Sequence, residues 1–185
     1  MATTPRTIAY EDWLKMPAVQ DGVDEVVNGE YRLMPPAKFA HAEILRRLNR
    51  LFDRQVDEAK VAVYDSNFGL LISQEPLICR SPDLAVYWTK EIEIKDGLFC
   101  SAPGLIVEVL SPSETRLRKQ EKLQDYASFA VAEVWIISPE AENVEMWQLR
   151  EGRLERTAIV TDGNLQPLRF PGVSIPTTAL WPDQK

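Results

Sequence analysis

The feature that most constrains the fold is a short run of branched apolar residues, GLIVEVL at 104–110, with one carboxylate inside it. The run predicts a buried β-strand. Because side chains of a strand alternate between its two faces, Glu108 shares a face with Ile106 and Leu110. An unpaired buried carboxylate is strongly unfavourable, so Glu108 must be neutralised by a proton, a cationic side chain or a metal ion. A structural ion pair would suffice, but a perturbed carboxylate in an apolar strand favours a functional site.

A lysine in the following segment is a second charged residue in apolar surroundings. Residues 114–129 predict a helix, on which Lys122 lies four residues before Tyr126 and seven before Phe129, and therefore beside them. Lysine avoids an apolar helix face unless its ammonium reaches water or has a partner. Two interpretations follow: the side chain extends past the helix edge into solvent, or its ammonium points at the end of the sheet, towards Glu108.

A second carboxylate, Asp83, follows Pro82 at the start of the apolar strand SPDLAVYW. Aspartate is common at strand ends, where it can accept a backbone N–H, and that is the simplest interpretation. If Asp83 and Glu108 converge, their oxygens suit Mg²⁺ or Mn²⁺, which polarises a phosphodiester and acidifies a bound water. Lys122 would then orient or deprotonate that water, or offset charge on the phosphate. This set is typical of a metal-dependent phosphodiesterase.

The remaining patterns predict an α/β protein with a mixed sheet. A hairpin is expected around Asn28-Gly29, a long helix over 41–57, and further strands on either side of the helix at 114–129. The length of 185 residues predicts a single domain. Its expected parts are an N-terminal helix and hairpin extension (1–40), a core (41–150) and a C-terminal extended tail (151–185).

Composition limits the partners. No run approaches the ~20 apolar residues of a membrane span, and the N-terminus has no signal-peptide core. Cys79 and Cys100 follow no metal or redox motif, which favours a cytoplasmic location. The net charge of −7 gives no global field that attracts nucleic acid. DNA binding would need a local basic patch, a partner or metal ions.

Four segments together resemble a known family: PD at 82–83, EVLSPS at 108–113, EKLQDYA at 121–127 and VWIISPE at 134–140. They are similar to the bacterial Uma-type putative restriction endonuclease family, within the PD-(D/E)xK nuclease-like superfamily. The N-terminal segment DEVVNGEYRLMPPAKFAHAEILRRL also fits, so the resemblance covers about residues 7–180.

The resemblance implies a restriction-endonuclease-like core, with a central mixed β-sheet flanked by helices and an N-terminal β-hairpin extension. It implies catalytic roles for Asp83, Glu108 and Lys122, with the metal held by Asp83, Glu108 and the backbone carbonyl of Val109. In the superfamily's usual motif the lysine lies two residues after the glutamate, where this chain has Leu110. In this family the following helix supplies it. The chain departs from the family pattern at four further places, namely Arg118, Ala130, Val134-Trp135 and Ser138.

Two further residues are secondary candidates. Glu25 is expected either as a further metal ligand or water-positioning group, or as a solvent-facing residue in an acidic cluster with Asp21 and Asp24. His41, the single histidine, either contacts a phosphate or moves a proton, or it caps and packs at the start of the long helix.

The sequence therefore predicts Mg²⁺- or Mn²⁺-dependent hydrolysis of DNA phosphodiesters. A homodimer is expected, because cutting two strands commonly uses two sites and symmetric pairs are the commonest oligomers. The alternative is a catalytically inactive nuclease-fold module for binding or regulation, which the acidic charge and the departures at Arg118 and Ser138 favour.

Overall fold

A computed structural model of the protein describes residues 7–17, 23–34, 36–65, 68–112 and 114–182. Its helices are α1 (Tyr10–Trp13), α2 (Phe39–Asp53) and α3 (Arg116–Ser128). Its strands, in chain order, are β1 (Val23–Val27), β2 (Glu30–Met34), β3 (Val61–Asp65), β4 (Leu70–Gln74), β5 (Leu77–Arg80), β6 (Leu84–Trp88), β7 (Ile94–Lys95), β8 (Leu98–Phe99), β9 (Leu105–Val109), β10 (Glu133–Ser138), β11 (Asn143–Arg150), β12 (Arg153–Val160), β13 (Asn164–Leu165) and β14 (Ile175–Pro176).

Within these residues the strands form two six-stranded sheets and one two-stranded ribbon. The central sheet has the order β12-β11-β10-β9-β6-β3, and β9, which carries Glu108, lies in its interior. β9 and β10 are parallel and are joined through α3, whereas the other neighbours in this sheet are antiparallel. The sheet is therefore mixed, which confirms the predicted α/β class.

The two faces of the central sheet carry separate apolar cores. On one face, α2 packs against alternate residues of β6 and β9, such as Leu84 and Val107. On the other face, α3 packs against the intervening residues, such as Ala85 and Ile106. Glu108 has the parity of Ile106 and so lies on the α3 face. The alternation of the strand thus directs this carboxylate towards the helix that carries the candidate lysine.

The two long helices follow from their sequences. The buried residues of α2 recur at three- and four-residue steps, which makes one apolar stripe, and they are Ile44, Leu45, Leu48 and Phe52. Thr115 caps α3, because its side-chain oxygen accepts the backbone N–H of Arg118. Both helices begin and end within a few residues of the predicted limits.

The N-terminal hairpin forms as predicted, and it is also part of a larger sheet. Asn28 and Gly29 have positive φ angles of 53° and 77°, as the tight turn between β1 and β2 requires. β1 also pairs with β5, with Val26 opposite Cys79, and the second sheet has the order β2-β1-β5-β4-β8-β7. The hairpin is therefore the edge of a sheet that packs beside α3.

Two other features differ from the simplest interpretation of the sequence. The stretch 61–73 resembles one strand but supplies β3 to the central sheet and β4 to the second sheet. Residues beyond 150 were expected as an extended tail, yet β12 completes the central sheet and Phe170 and Leu180 enter the core on the α2 face. No helix in the described part of the chain is long and apolar enough to cross a membrane.

Candidate active site

The two candidate carboxylates lie opposite each other on neighbouring strands. β6 and β9 are antiparallel, with Leu84 opposite Val107 and Ala85 opposite Ile106. Continuing this register by one residue places Asp83 opposite Glu108. Directly opposite residues of an antiparallel pair share a face and have Cβ atoms about 4.5–5.5 Å apart. Both carboxylates line one cavity, beside the start of β6.

Asp83 has two hydrogen-bond partners that hold its orientation. Its Oδ2 accepts the backbone N–H of Val109 at 2.7 Å, so the simple interpretation of a carboxylate that accepts a backbone N–H at a strand end is correct. Its Oδ1 lies 3.0 Å from Nε2 of His41. His41 sits in the first turn of α2, and the N-cap of that helix is Lys38, so the histidine contacts the site rather than capping the helix.

Glu108 is buried and bonded through both oxygens to α3. Lys122 Nζ donates to Oε2 at 2.7 Å, and the Tyr126 hydroxyl donates to Oε1. Burial raises the pKa of Glu108 to about 7, against the lowering effect of the Lys122 charge and with a further rise from the charge of Asp83. A proton, a cationic side chain or a metal ion could neutralise Glu108, and the structure shows the cationic side chain of Lys122.

Lys122 is charged in this arrangement. Burial lowers its pKa, but the negative charges of Glu108, Glu25 and Asp83 outweigh that effect, so the pKa is raised. The ammonium points at the end of the sheet, as one of the two interpretations expected. A charged Lys122 is suited to binding an anion rather than to taking a proton from water.

The pKa of His41 is also shifted by this group of residues. Burial lowers it, but the hydrogen bond to Asp83 and the charges of Asp83 and Glu108 outweigh burial, so the pKa is raised. His41, Asp83, Glu108 and Lys122 therefore form one electrostatically linked set.

Glu25 is buried, so the prediction that it is a solvent-facing residue in an acidic cluster is wrong. Its Oε2 accepts from Arg80 at 2.9 Å and its Oε1 accepts the backbone N–H of Ser81. Arg80 also donates to Asp125 of α3 at 2.6 and 2.8 Å. Asp21, named with Glu25 in the expected acidic cluster, lies outside the described residues. Through Arg80, β1 and β5 are bonded to the helix that carries Lys122.

The candidate site residues line one cavity of about 620 Å³. Its polar part contains Glu25, His41, Asp83, Glu108 and Lys122. This volume is within the range of small-ligand sites, about 300–1,000 Å³.

A further carboxylate, Glu114, also lines the cavity. Its Oε1 is buried and has no hydrogen-bond partner among the described residues. Since a buried polar atom without a partner is unfavourable, a cation or a hydrogen-bond donor in the cavity would satisfy it.

The donor set fits Mg²⁺ or Mn²⁺ better than zinc. Among the described residues, no group of three or more His, Cys, Asp or Glu side chains is arranged to hold a metal ion. Mg²⁺ keeps several waters and needs one or two carboxylates, which Asp83 and Glu108 offer. Val109 also lines the cavity, and the role of its carbonyl as a ligand stays a prediction.

Sequence reasoning missed the roles of Tyr126, Arg80 and Glu114. Tyr126 was recognised only as a neighbour of Lys122, although its spacing on α3 already placed its hydroxyl near the same carboxylate. Arg80 has partners 45 and 55 residues away, so no local pattern indicates its role. Of the departures from the family pattern, Arg118 lines the cavity and Ser138 accepts a backbone N–H in the turn after β10.

Comparison with known proteins identifies relatives of the chain. The model of the family Uma2, described as "Putative restriction endonuclease", matches residues 10–178. The crystal structure of a putative nuclease from Anabaena variabilis superposes with a TM-score of 0.78 at 16% identity, covering 94% of this chain and 97% of that chain. This similarity confirms the restriction-endonuclease-like fold.

A second structure, of the type IIG restriction endonuclease BpuSI, matches with a TM-score of 0.40 at 16% identity, covering 65% of this chain and 13% of that chain. That similarity is too low to carry an argument. No curated protein matches the chain.

Proposed function

The chain belongs to the Uma2 family, described as putative restriction endonucleases, and from this premise we propose that it hydrolyses DNA phosphodiester bonds with the help of a divalent metal ion. One observation carries the proposal: Asp83, Glu108 and Lys122 line one cavity, with the Lys122 ammonium 2.7 Å from Glu108. Two carboxylates and a charged lysine in one recess are the groups that phosphodiester hydrolysis needs.

Asp83 and Glu108 would hold the metal ion, together with the carbonyl of Val109. A bound Mg²⁺ or Mn²⁺ would supply Lewis-acid polarisation of the phosphate and a more acidic water. Glu114 lines the same cavity and adds a further carboxylate to it. The Val109 N–H holds Asp83 in orientation, so this part of the site is preorganised.

Lys122 would bind the phosphate and offset the charge that develops on it. Its raised pKa keeps the ammonium charged, which suits electrostatic stabilisation. The 2.7 Å hydrogen bond from Lys122 to Glu108 is the contact that Lys122 would exchange for a phosphate oxygen.

His41 and Glu25 have supporting roles in this proposal. His41 orients Asp83 through their 3.0 Å contact and lies in the cavity, where it can also reach a phosphate. Glu25 is bonded to Arg80 and to the backbone of Ser81, so it positions the β5 end rather than offering free oxygens to a metal.

The second candidate function is a catalytically inactive binding or regulatory module. The observation that favours it is that both oxygens of Glu108 are already bonded within the protein. In this alternative the Lys122–Glu108 pair is permanent and the cavity binds a ligand without cleaving it.

Metal titration separates these candidates. We expect isothermal titration calorimetry to show Mn²⁺ binding to the wild type and strongly reduced binding to Asp83→Asn, which keeps an acceptor oxygen for the Val109 N–H. Glu58→Gln, an exposed carboxylate outside the cavity, is the matched control and should bind as the wild type does. Absence of any Mn²⁺ binding by the wild type would contradict the metal-dependent mechanism.

Cleavage is measured with the same variants on plasmid and oligonucleotide DNA in Mg²⁺ and in Mn²⁺. Metal binding by the wild type without cleavage of any form would favour the inactive module. The expected homodimer, which would place two such sites on one DNA, is a proposal that sedimentation velocity can test. The cytoplasmic location stays a prediction.

A further inference from the structure

The cavity has two walls of different chemistry. The Asp83, Glu108 and Lys122 side chains form its polar end, whereas Met34, Leu110 and Ile136 are among the apolar residues that line the rest. A site for a bare metal ion or for phosphate alone would not need an apolar wall. The wall indicates that a less polar part of the substrate enters the cavity together with the phosphate.

The reactive end of the cavity is recessed. Glu108 is only 4% exposed. The cavity that holds it has a volume of about 620 Å³, the size of a small-ligand site. A strand whose bases are unpaired is narrower than a duplex and therefore fits this recess better.

Exposed apolar side chains occur next in sequence to residues that line this cavity. Phe39 is 66% exposed and lies in sequence between Lys38 and Ala40, both of which line the cavity. Leu117 is 75% exposed and precedes Arg118, which also lines it. An exposed aromatic ring beside cationic residues is the combination that binds single-stranded nucleic acid, because bases stack on the ring and phosphates contact the cations.

We propose that the cavity takes an unpaired stretch of DNA, with a base stacked on Phe39 and the scissile phosphate at Asp83, Glu108 and Lys122. This inference rests on the proposed nuclease function and narrows its substrate. Lys38 and Arg118 contact the backbone on either side of the mouth. Met34, Leu110 and Ile136 contact the sugar and base of the nucleotide that enters.

The charge of the protein agrees with this substrate. Binding to duplex DNA depends mainly on many cationic contacts to phosphate, and the net charge of −7 gives no overall field that attracts phosphate. On α2, Arg46 is already bonded to Glu43 at 2.6 and 2.7 Å. Stacking on an aromatic ring needs no such field, so a single strand is the better match.

The inference is tested by binding without cleavage. Fluorescence anisotropy in the presence of a chelator compares a labelled oligothymidylate with the same strand annealed to oligodeoxyadenylate. We expect the wild type to bind the single strand more tightly. Phe39→Ala should weaken single-strand binding by about 5- to 150-fold, the loss of one stacked base, and Phe39→Trp should retain it.

The matched control is Ile159→Ala, which removes an apolar side chain that is 51% exposed on β12 and does not line the cavity. We expect it to bind both forms as the wild type does. Circular dichroism of each variant shows whether the fold is retained.

A cleavage assay on single-stranded, fully paired and bubble-containing DNA separates the two proposals. Faster cleavage of the single strand and the bubble supports both. Equal cleavage of paired DNA, with no effect of Phe39→Ala, overturns the unpaired-strand inference but leaves the nuclease function intact. Single-strand binding that depends on Phe39, without cleavage of any form, supports the inferred ligand and contradicts the nuclease function.

If Phe39→Ala instead dissociates a dimer and leaves single-strand affinity unchanged, the exposed ring belongs to an interface between copies and the inference is wrong.

Discussion

Lys122 Nζ donates a hydrogen bond of 2.7 Å to Oε2 of Glu108, which joins α3 to the interior strand β9 through a buried carboxylate and a largely buried ammonium. Tyr126, one turn further along α3, donates to the other carboxylate oxygen. A buried ion pair is weak evidence of stability, because desolvation of two charges offsets their attraction. Its retention in the cavity is better explained by a role in binding or catalysis.

The first prediction concerns the coupling within this pair. Lys122→Met should lower the free energy of unfolding by about 3–5 kcal/mol, because it leaves Glu108 buried without a counter-charge. In the double variant Lys122→Met/Glu108→Gln the loss should be smaller than the sum of the two single losses. Urea unfolding of the four proteins measures the coupling. Strictly additive losses would show that the two side chains do not interact as the structure has them.

The second prediction concerns the tyrosine. Tyr126→Phe removes a donor from a buried carboxylate oxygen, so it should cost about 1–3 kcal/mol of stability and lower the rate of DNA cleavage at saturating metal. Tyr87→Phe is the matched control, since the buried Tyr87 hydroxyl donates to Ser101 O at 3.2 Å away from the cavity. We expect the control to lose stability without losing activity. Equal losses of activity would assign Tyr126 a purely structural role.

The third prediction concerns the arginine that bonds the second sheet to α3. Arg80 is 1% exposed and has both Glu25 and Asp125 as partners. Arg80→Met should cost about 3–5 kcal/mol, because the buried Glu25 and the partly buried Asp125 lose their cation. Arg169→Met, which breaks an exposed pair with Glu91, should cost at most about 1 kcal/mol. Thermal or urea unfolding of both variants compares them, and similar losses would contradict the assigned role of Arg80.

Much of the candidate site could be predicted, because each residue breaks a local pattern. Glu108 interrupts an apolar strand, Asp83 starts the neighbouring strand, and Lys122 lies on the aromatic side of a helix. Strand alternation and helical periodicity are local rules, so these three placements needed no knowledge of distant contacts.

The parts of the site and of the fold that the sequence did not predict depend on contacts between distant segments. Nothing near Arg80 indicates that carboxylates from β1 and α3 converge on it. The apolar residues beyond β12 have no regular period, so they predicted only an extended segment, although Phe170 and Val173 are buried in the core. Likewise, no local signal shows that β3 and β4 belong to different sheets, because the sheet of each strand is determined by the distant strands with which it pairs.

The fourth prediction concerns pH and Glu133. This buried carboxylate accepts from Trp135 Nε1 at 2.9 Å and from the backbone N–H of Leu168 at 2.6 Å, and burial raises its pKa despite those bonds. A raised pKa means that the folded state binds the proton more tightly than the unfolded state. The contribution of Glu133 to stability is therefore fully present below its unfolded pKa, about 4.5, and is lost as the pH rises through the folded value.

The measurement compares the wild type with Glu133→Gln, which cannot titrate, by urea unfolding at several pH values. We expect the free energy of unfolding of the wild type, relative to that of the variant, to fall as the pH rises above about 4.5. A difference that stays constant or rises across this range would show that the carboxylate pKa is not raised in the folded protein.

The fifth prediction concerns the end of α3, which positions Tyr126. Ala130 follows the helix with a φ of 61°, and it donates to Ala127 O while Val131 donates to Tyr126 O. This is the Schellman motif, in which glycine is the favoured residue because it has no Cβ to oppose a positive φ. Ala130 was among the departures from the family pattern that the resemblance implied.

Ala130→Gly should therefore raise the free energy of unfolding by about 1 kcal/mol, since left-handed backbone costs a residue with a Cβ about 1–2 kcal/mol and glycine returns part of this as chain entropy. Ala127→Gly, at the last but one residue of α3 and so at a right-handed position, should lower it by about 0.5–1 kcal/mol. Thermal unfolding of both variants tests the opposite signs. The change at Ala130 leaves every cavity side chain in place. We therefore expect the stabilised variant to bind Mn²⁺ as the wild type does. A lower affinity would mean that the strained helix end helps to set the position of Tyr126 and Glu108.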